Sequence, residues 1–402
     1  MRLPTLTFEV AFGVNPLDTV DTADWIDLSD RLRPPRRTGR VAHVSRGRRH
    51  EDDAADAGTC QVWLDNADRE LDPSNENSSW WPDVLPLRPC RLTATHDGTS
   101  WPLFRGFVER WPTVTTSHHD SHVAVAAIDG RKLLGRIDLE TVDLDRQLSG
   151  ERINAVLDAA GWPADLRAID DGVVILLPLQ GDEINAAAAI EDAAAAEDGL
   201  FYFDADGVAT FHDRHHRLDA PSPDLVFGPD GGGQIDLPEL ELPYDDEGLI
   251  NRARVERRDA KIFRFADDTS IDRYGERNAG GLDIEVPERE AVAWADWTVN
   301  RYAEPLRRPP PLPIDAYQDA SVFAAAVGLE LSDRVGLVHR PPGGGDPIDL
   351  PMVLEGVEHD IATAAWQVEV DLSPYFGAGP WFRLDDDVLG VLGDDAGNKL
   401  AP

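Results

Sequence analysis

Apolar side chains in the first 140 residues fall at every second position in short runs, at 7–10, 60–64, 91–95 and 123–128. A period of two places one set of side chains on a single face of an extended chain, so each run reads as a strand with one buried face. Cys60, Val62 and Leu64 share such a face. Turn dipeptides separate the runs, at Asp72-Pro73, Asp97-Gly98 and Asp129-Gly130. Many short strands divided in this way predict a barrel or a sandwich.

The period then changes. Residues 151–160 (ERINAVLDAA) carry apolar positions at helical spacing, and Gly161 with Pro163 supplies a stop. Residues 182–198 (DEINAAAAIEDAAAAED) predict the clearest helix of the chain, Ala-rich, acidic in its first turn and ended by Gly199. Residues 200–203 and 208–212 flank Asp206-Gly207, a favoured hairpin turn. A small α/β unit therefore interrupts a β-rich chain. Residues 221–245, rich in Pro, Gly and Asp, read as a connector, and 251–257 alternates like a strand. Pro287 opens a helix to about residue 303, with Trp294 and Trp297 on one face, and the Pro-rich 305–313 reads as an extended linker. A helix near 319–327 and strands at 329–339, 352–361 and 365–372 complete the pattern.

The expected fold class is mainly β with an α/β insertion: two β-barrel-like domains flanking a small α/β domain. The expected boundaries are 1–145 for an N-terminal β-rich arm and first barrel, and 146–245 for the inserted α/β domain. A second barrel with a helical segment follows at 246–375, then an acidic docking tail at 376–402 that contains Trp381-Phe382.

Charge narrows the partners. The 402 residues hold 75 acidic against 38 basic side chains, a net charge of -37. Duplex DNA and anionic membranes are polyanions, so specific nucleic-acid binding and membrane insertion are not expected. A lumen through which DNA slides without sticking fits this charge, and so does plain solubility. No apolar run reaches the ~18 residues of a membrane helix, and the first residues lack a secretory pattern, so synthesis in a cytoplasm is expected. Cys60 and Cys90 lack metal-ligand spacing and read as reduced, buried side chains.

Few constellations suggest chemistry. His118-His119-Asp120-Ser121-His122 could place His118, Asp120 and His122 on one side of a strand, but reads better as a polar hairpin loop. His212-Asp213-Arg214-His215-His216 also reads as a solvated loop. Asp204-Ala205-Asp206-Gly207 opens like a calcium loop, yet its Gly comes too early, and a hairpin turn accounts for it. Asp245-Asp246-Glu247 and Asp385-Asp386-Asp387 single out no glycosidase pair. Gly231-Gly232-Gly233 and Gly343-Gly344-Gly345 lack the strand–loop–helix setting of a phosphate loop, and the second reads as a hairpin loop. Trp80-Trp81, with Trp101, could stack host-wall polysaccharide, although barrel-edge packing explains them too. No catalytic residue, cofactor or metal is expected.

The order of segments carries more than any one motif. Arg46-Gly47-Arg48 precedes Gly58-Thr59-Cys60-Gln61-Val62-Trp63-Leu64-Asp65-Asn66. Leu85-Pro86-Leu87-Arg88-Pro89 leads into Phe104-Arg105-Gly106-Phe107, and Asp129-Gly130 closes the run. Later come Leu249-Ile250-Asn251, Asp333-Arg334-Val335 and Val353-Leu354-Glu355-Gly356. This succession resembles tail-tip proteins of long-tailed actinobacterial phages, and through them the baseplate-hub family, over about residues 40–385. The signature positions are Gly58, Leu64, Asp65, Asn66, Pro89, Phe104, Gly106, Phe107, Asp129, Gly130, Asn251, Val335 and Gly356. The resemblance implies a non-enzymatic homotrimer at a virion tail tip. Two similar barrels per subunit would make a pseudo-sixfold ring that closes the tube and adapts sixfold to threefold symmetry. Its implied partners are the tail tube or distal-tail ring and other tail-tip or fibre proteins, in host attachment and DNA ejection. The alternatives are a hexameric distal-tail adaptor bearing host-receptor binding and, further off, a tail-associated peptidoglycan hydrolase.

Overall fold

The computed structural model describes residues 3–376 except 19, 35–38, 52, 118–119, 218–222, 224, 230–233, 238–239, 257–261 and 280–285. The first third is strands: β1 (Thr5–Val10), β2 (Arg40–Gly47), β3 (Asp56–Asp65), β4 (Pro89–His96), β5 (Thr99–Arg110), β6 (Thr113–Ser117) and β7 (Asp120–Ile128). The insertion holds β8 (Asp138–Leu144), α1 (Ser149–Ala159), β9 (Leu179–Asn185), α2 (Ala186–Glu197), β10 (Leu200–Phe203) and β11 (Ala209–His212). The remainder holds β12 (Leu225–Phe227), β13 (Arg252–Glu256), β14 (Ile262–Ala266), α3 (Glu288–Tyr302), β15 (Leu312–Asp315), α4 (Ala320–Val327), β16 (Arg334–His339), β17 (Ile348–Ala362) and β18 (Ala365–Pro374).

The alternation read from the sequence is the alternation of burial. Gly58, Cys60, Val62 and Leu64 of β3 face inward, and the residues between them do not. The strands of both ends belong to one 13-stranded sheet, ordered β12-β16-β17-β2-β3-β7-β5-β4-β1 and then Ile26–Asp27, with β18 and β15 branching from β17 and β6 from β7. The mainly β class with an α/β insertion holds. The two ends are not, however, separate closed barrels among the described residues. β17 is long enough to pair β16 through residues 348–353 and β2 through 356–362 on successive halves of one edge, which fuses the ends into a single sheet. The change-over lies at a register shift between Leu354 and Gly356.

Two apolar clusters form. The larger packs side chains of the first and last thirds together, among them Phe8, Leu92, Phe104, Phe323 and Trp366. The second fills the insertion with Ile153, Val156, Leu157, Ile190 and Phe211, and takes in Ala291, Ala295 and Val299 of α3.

Some local readings shift. α2 begins at Ala186 rather than 182, because residues 182–185 complete a ladder with β8 and the Asn185 side chain then caps the helix from the Ala188 N–H. The β10–β11 connection spans Asp204 to Val208 instead of two residues; the Asp204 carboxylate accepts from the N–H of Asp206 and of Val208, at 2.9 and 2.8 Å, which closes the loop. The connector contains β12, which runs parallel to β16. Residues 329–333 form a turn before β16 begins at Arg334. Trp381-Phe382, the acidic tail, His118-His119 and Gly231–Gly233 lie outside the described residues.

Candidate functional site

Five of the sequence signature positions meet at one corner. Asp129, at the end of β7, accepts from the Gly58 N–H at 2.5 Å through one carboxylate oxygen and from the Arg131 N–H at 2.9 Å through the other. A Cβ on Gly106 would run into the Ile128 carbonyl oxygen, and one on Gly130 into the rings of Trp162 and Phe203. Phe107 lies edge-on to Trp162. This corner is where the sheet hands the chain to the insertion, and only glycine fits at its two closest approaches. Burial pushes Asp129 up to about 7, against its two N–H donors, which act to lower it.

The other signature positions are distributed through the fold. Leu64 is fully buried, Asp65 accepts from Arg33, and the Asn66 side chain accepts from the Leu71 N–H. Pro89 opens β4 opposite Phe107, and Phe104 is a core ring. Asn251 is fully buried: its amide donates to Ser270 Oγ and the Gly275 carbonyl and accepts from the Arg277 N–H, so it organises the turns around β13. Val335 is buried in β16, and Gly356 faces Gly47 across the β17–β2 seam.

A second centre carries no sequence signature: a charged junction where all three parts of the chain touch. Glu355 of β17 has no exposed surface. It accepts from Arg48 Nε at 2.7 Å, from Arg217 at 2.5 and 3.1 Å, and from Ser373 Oγ at 2.5 Å. Arg217 also donates to Ser332 Oγ, which the His212 ring meets at 3.0 Å. Beside it, Arg46 pairs with Glu330 at 2.6 Å, and Glu330 accepts from the Ala205 N–H of the β10–β11 loop. Glu197, also fully buried at the end of α2, accepts from Ser149 Oγ, the Val174 N–H and Arg214 Nε. Asp198 takes the Trp297 indole N–H and Arg301 from α3, and Arg308 pairs with Glu51.

Arg46, Arg48 and Glu51 come from the first third, Ser149, Val174 and Glu197 to Arg217 from the insertion, and the rest from the last third. The stretch 212–216 is thus a correction to the solvated-loop reading. Arg214 is buried, the His212 and His216 rings stack at 3.5 Å, and His216 meets Asp170 at 2.9 Å. Buried charges are tolerated only when paired and hydrogen-bonded, and here Glu355, Glu330, Asp198 and Glu51 each accept from a different part of the chain, while Glu197 is satisfied within the insertion. The arrangement can fix the relative placement of three units.

The remaining candidates resolve simply. Cys60 and Cys90 are free and buried. Trp80 stacks on Phe12, and Trp101 meets Phe323 edge-on, so both pack against the main core; Trp81 is 48% exposed. His122 sits on β7 opposite Asp65. Asp246 pairs with Arg277 on the surface. Among the described residues, no group of three His, Cys, Asp or Glu side chains is disposed to hold a metal, and no helix is long and apolar enough to cross a membrane.

No protein-family model and no curated protein sequence matches the chain. Solved structures do. The 43 kDa tail protein of prophage MuSo2 from Shewanella oneidensis superposes with a TM-score of 0.57 at 10% identity, over 92% of this chain and 98% of that one. A tail protein from Neisseria meningitidis MC58 gives 0.57 at 11% identity, over 92% and 96%. The fold is that of phage tail proteins. A chain of the half-lidded Francisella PdpA–VgrG complex shares this tail-protein fold with a TM-score of 0.54 at 8% identity, over 93% of this chain and 58% of that one. In the tail-protein fold adopted here, the corner at Asp129 and the junction at Glu355 are the points that hold the insertion against the sheet.

Proposed function

We propose that the chain is a structural, non-enzymatic subunit of a phage-type tail tip. Its copies build a trimeric ring that closes the tail tube and adapts sixfold to threefold symmetry. The observation that carries this reading is the end-to-end likeness to tail proteins, 92% of this chain against 98% of the Shewanella protein. Three features support it. Among the described residues, β6 and β15 are each paired on one side only, and an open edge can take a strand from a neighbouring subunit. The junction around Glu355 makes the units 1–145, 146–245 and 246–375 one stiff block, as a ring subunit requires. The net charge of -37 keeps a lumen wall from holding DNA. The tail tube or distal-tail ring and fibre proteins are the proposed partners, and the virion tail tip is the proposed location.

The test is the mass of the purified chain in solution across ionic strength, since salt screens the self-repulsion of so acidic a protein. The reading predicts a species of three times the 44.2 kDa chain mass that gains population as salt rises. A sixfold species would replace it with the distal-tail adaptor. A monomer at every salt and concentration, with affinity for wall polysaccharide lost on Trp81→Ala, would replace it with a sugar-binding module.

A further inference from the structure

Basic side chains are outnumbered in this chain, 38 against 75, so a place where three of them meet a single acid stands out. At the end of β5, Lys132 pairs with Glu109. Arg110 and Arg136 lie within electrostatic reach of the same carboxylate. Both arginines are exposed, and neither forms an ion pair with a described residue. Apolar surface lies beside this patch. The Trp111 indole N–H donates to the Leu85 carbonyl at 2.9 Å, which brings the exposed Leu85 to the end of β5. Exposed Val114 follows on β6, a strand with neither Pro nor charge to turn a neighbour away.

The opposite charge gathers in a groove of about 480 Å3 in the last third. Pro309, Pro310 and Pro311 line it, a stiff run without N–H donors. Glu241, Asp245, Glu247 and Asp371 supply carboxylates. Of the bases there, Arg308 is committed to Glu51 and to the Glu247 carbonyl, which leaves Arg49 and His50 against the acids. Asp371 registers the shortfall. Burial, with Glu369 and Glu358, pushes it up to about 6, although Arg49 and His50 act to lower it.

Within one chain the patch and the groove are held apart. From Asp371 on β18 the sheet runs through β17, β2, β3 and β7 to β5, five strand spacings or ~24 Å. A cyclic ring needs two surfaces of this kind, because each subunit presents one to the neighbour ahead and the other to the neighbour behind. Arginine suits such a groove, since its guanidinium pairs bidentately with carboxylates and lays its flat face on apolar surface.

We propose that the Arg110–Lys132–Arg136 patch of one copy docks in the proline-lined acidic groove of the next. Each copy gives one patch and takes one groove. This inference rests on the ring reading above and names its contact. Pairs enclosed in the contact are screened by salt less than the net repulsion between whole acidic chains, so added salt still favours the ring.

Sedimentation velocity of the full chain over a range of concentrations tests it. R110E/R136E and, separately, E241R/E247R reverse exposed side chains outside both cores. Each is expected to raise the concentration of half-trimerisation about a hundredfold, because like charges then face each other. The swapped variant R110E/R136E/E241R/E247R is expected to bring it back to within about threefold of the natural chain. That recovery separates a lost contact from a lost fold, since two further substitutions do not repair a misfolded chain. A trimer that both reversals leave intact, or that the swapped variant does not recover, would overturn the docking and keep the ring; the groove would then be left to a basic segment of another protein. A natural chain that stays monomeric at every salt and concentration would overturn the ring reading, and this contact with it.

Discussion

Glu355 shows how one side chain can hold a fold together. Burial alone would raise its affinity for a proton, but the guanidiniums of Arg217 and Arg48 outweigh that and hold the carboxyl well below the usual range. A carboxyl depressed in this way contributes stability above its unfolded value of about 4.3, and that contribution is lost as pH falls below it. Glu355→Gln leaves two buried guanidiniums facing a neutral amide, and is expected to lower unfolding free energy by about 3–5 kcal/mol at pH 7 in urea titrations. Asp129 has the opposite sign. Burial raises it to about 7, so the native state keeps its proton where the unfolded chain has lost it, and its contribution is lost as pH rises from about 4 through 7. Asp129→Asn cannot accept both the Gly58 and Arg131 N–H groups and is expected to cost about 1–3 kcal/mol. The gap between natural and variant chains, measured from urea midpoints, should be wider at pH 5 than at pH 8.

At the scale of elements, the seam between β2 and β17 joins the two ends of the chain. Gly47 there has φ of +100°, and a Cβ would meet the Glu355 carbonyl oxygen and sit 2.7 Å from the Gly356 Cα. Gly47→Ala is expected to destabilise by about 1–3 kcal/mol, with the loss visible in thermal melts. β1, β3, β4, β7, β16, β17 and β18 were legible as strands, and α1, α3 and α4 from helical spacing; β2 and β6 were not marked, and β15 begins inside the stretch read as a Pro-rich linker. Residues 182–185 were misread because an acidic start suits a helix as well as a strand, and pairing with β8 decides between them. β12 is three residues long and owes its existence to β16, so no local period marks it. The corner at Gly58, Gly106, Asp129 and Gly130 could be named from motif order, though not its hydrogen bonds. The Glu355 junction was not legible at all: Arg48 and Arg217 lie 307 and 138 positions from their partner, and in a chain with 75 acidic side chains no spacing singles out the right carboxylate.

At the scale of the molecule, a single sheet running through both ends, with the insertion held by a buried charged junction, makes a stiff subunit with open edges. In the ring proposed above, edge pairing would set the geometry and surface charge the solubility, so salt should favour assembly. Whether the copies close into the proposed threefold ring is decided by electron-microscopic class averages of the purified protein at moderate and high salt. Closed rings with threefold symmetry are expected. Sixfold rings, or compact monomers at every salt and concentration, would contradict the proposal.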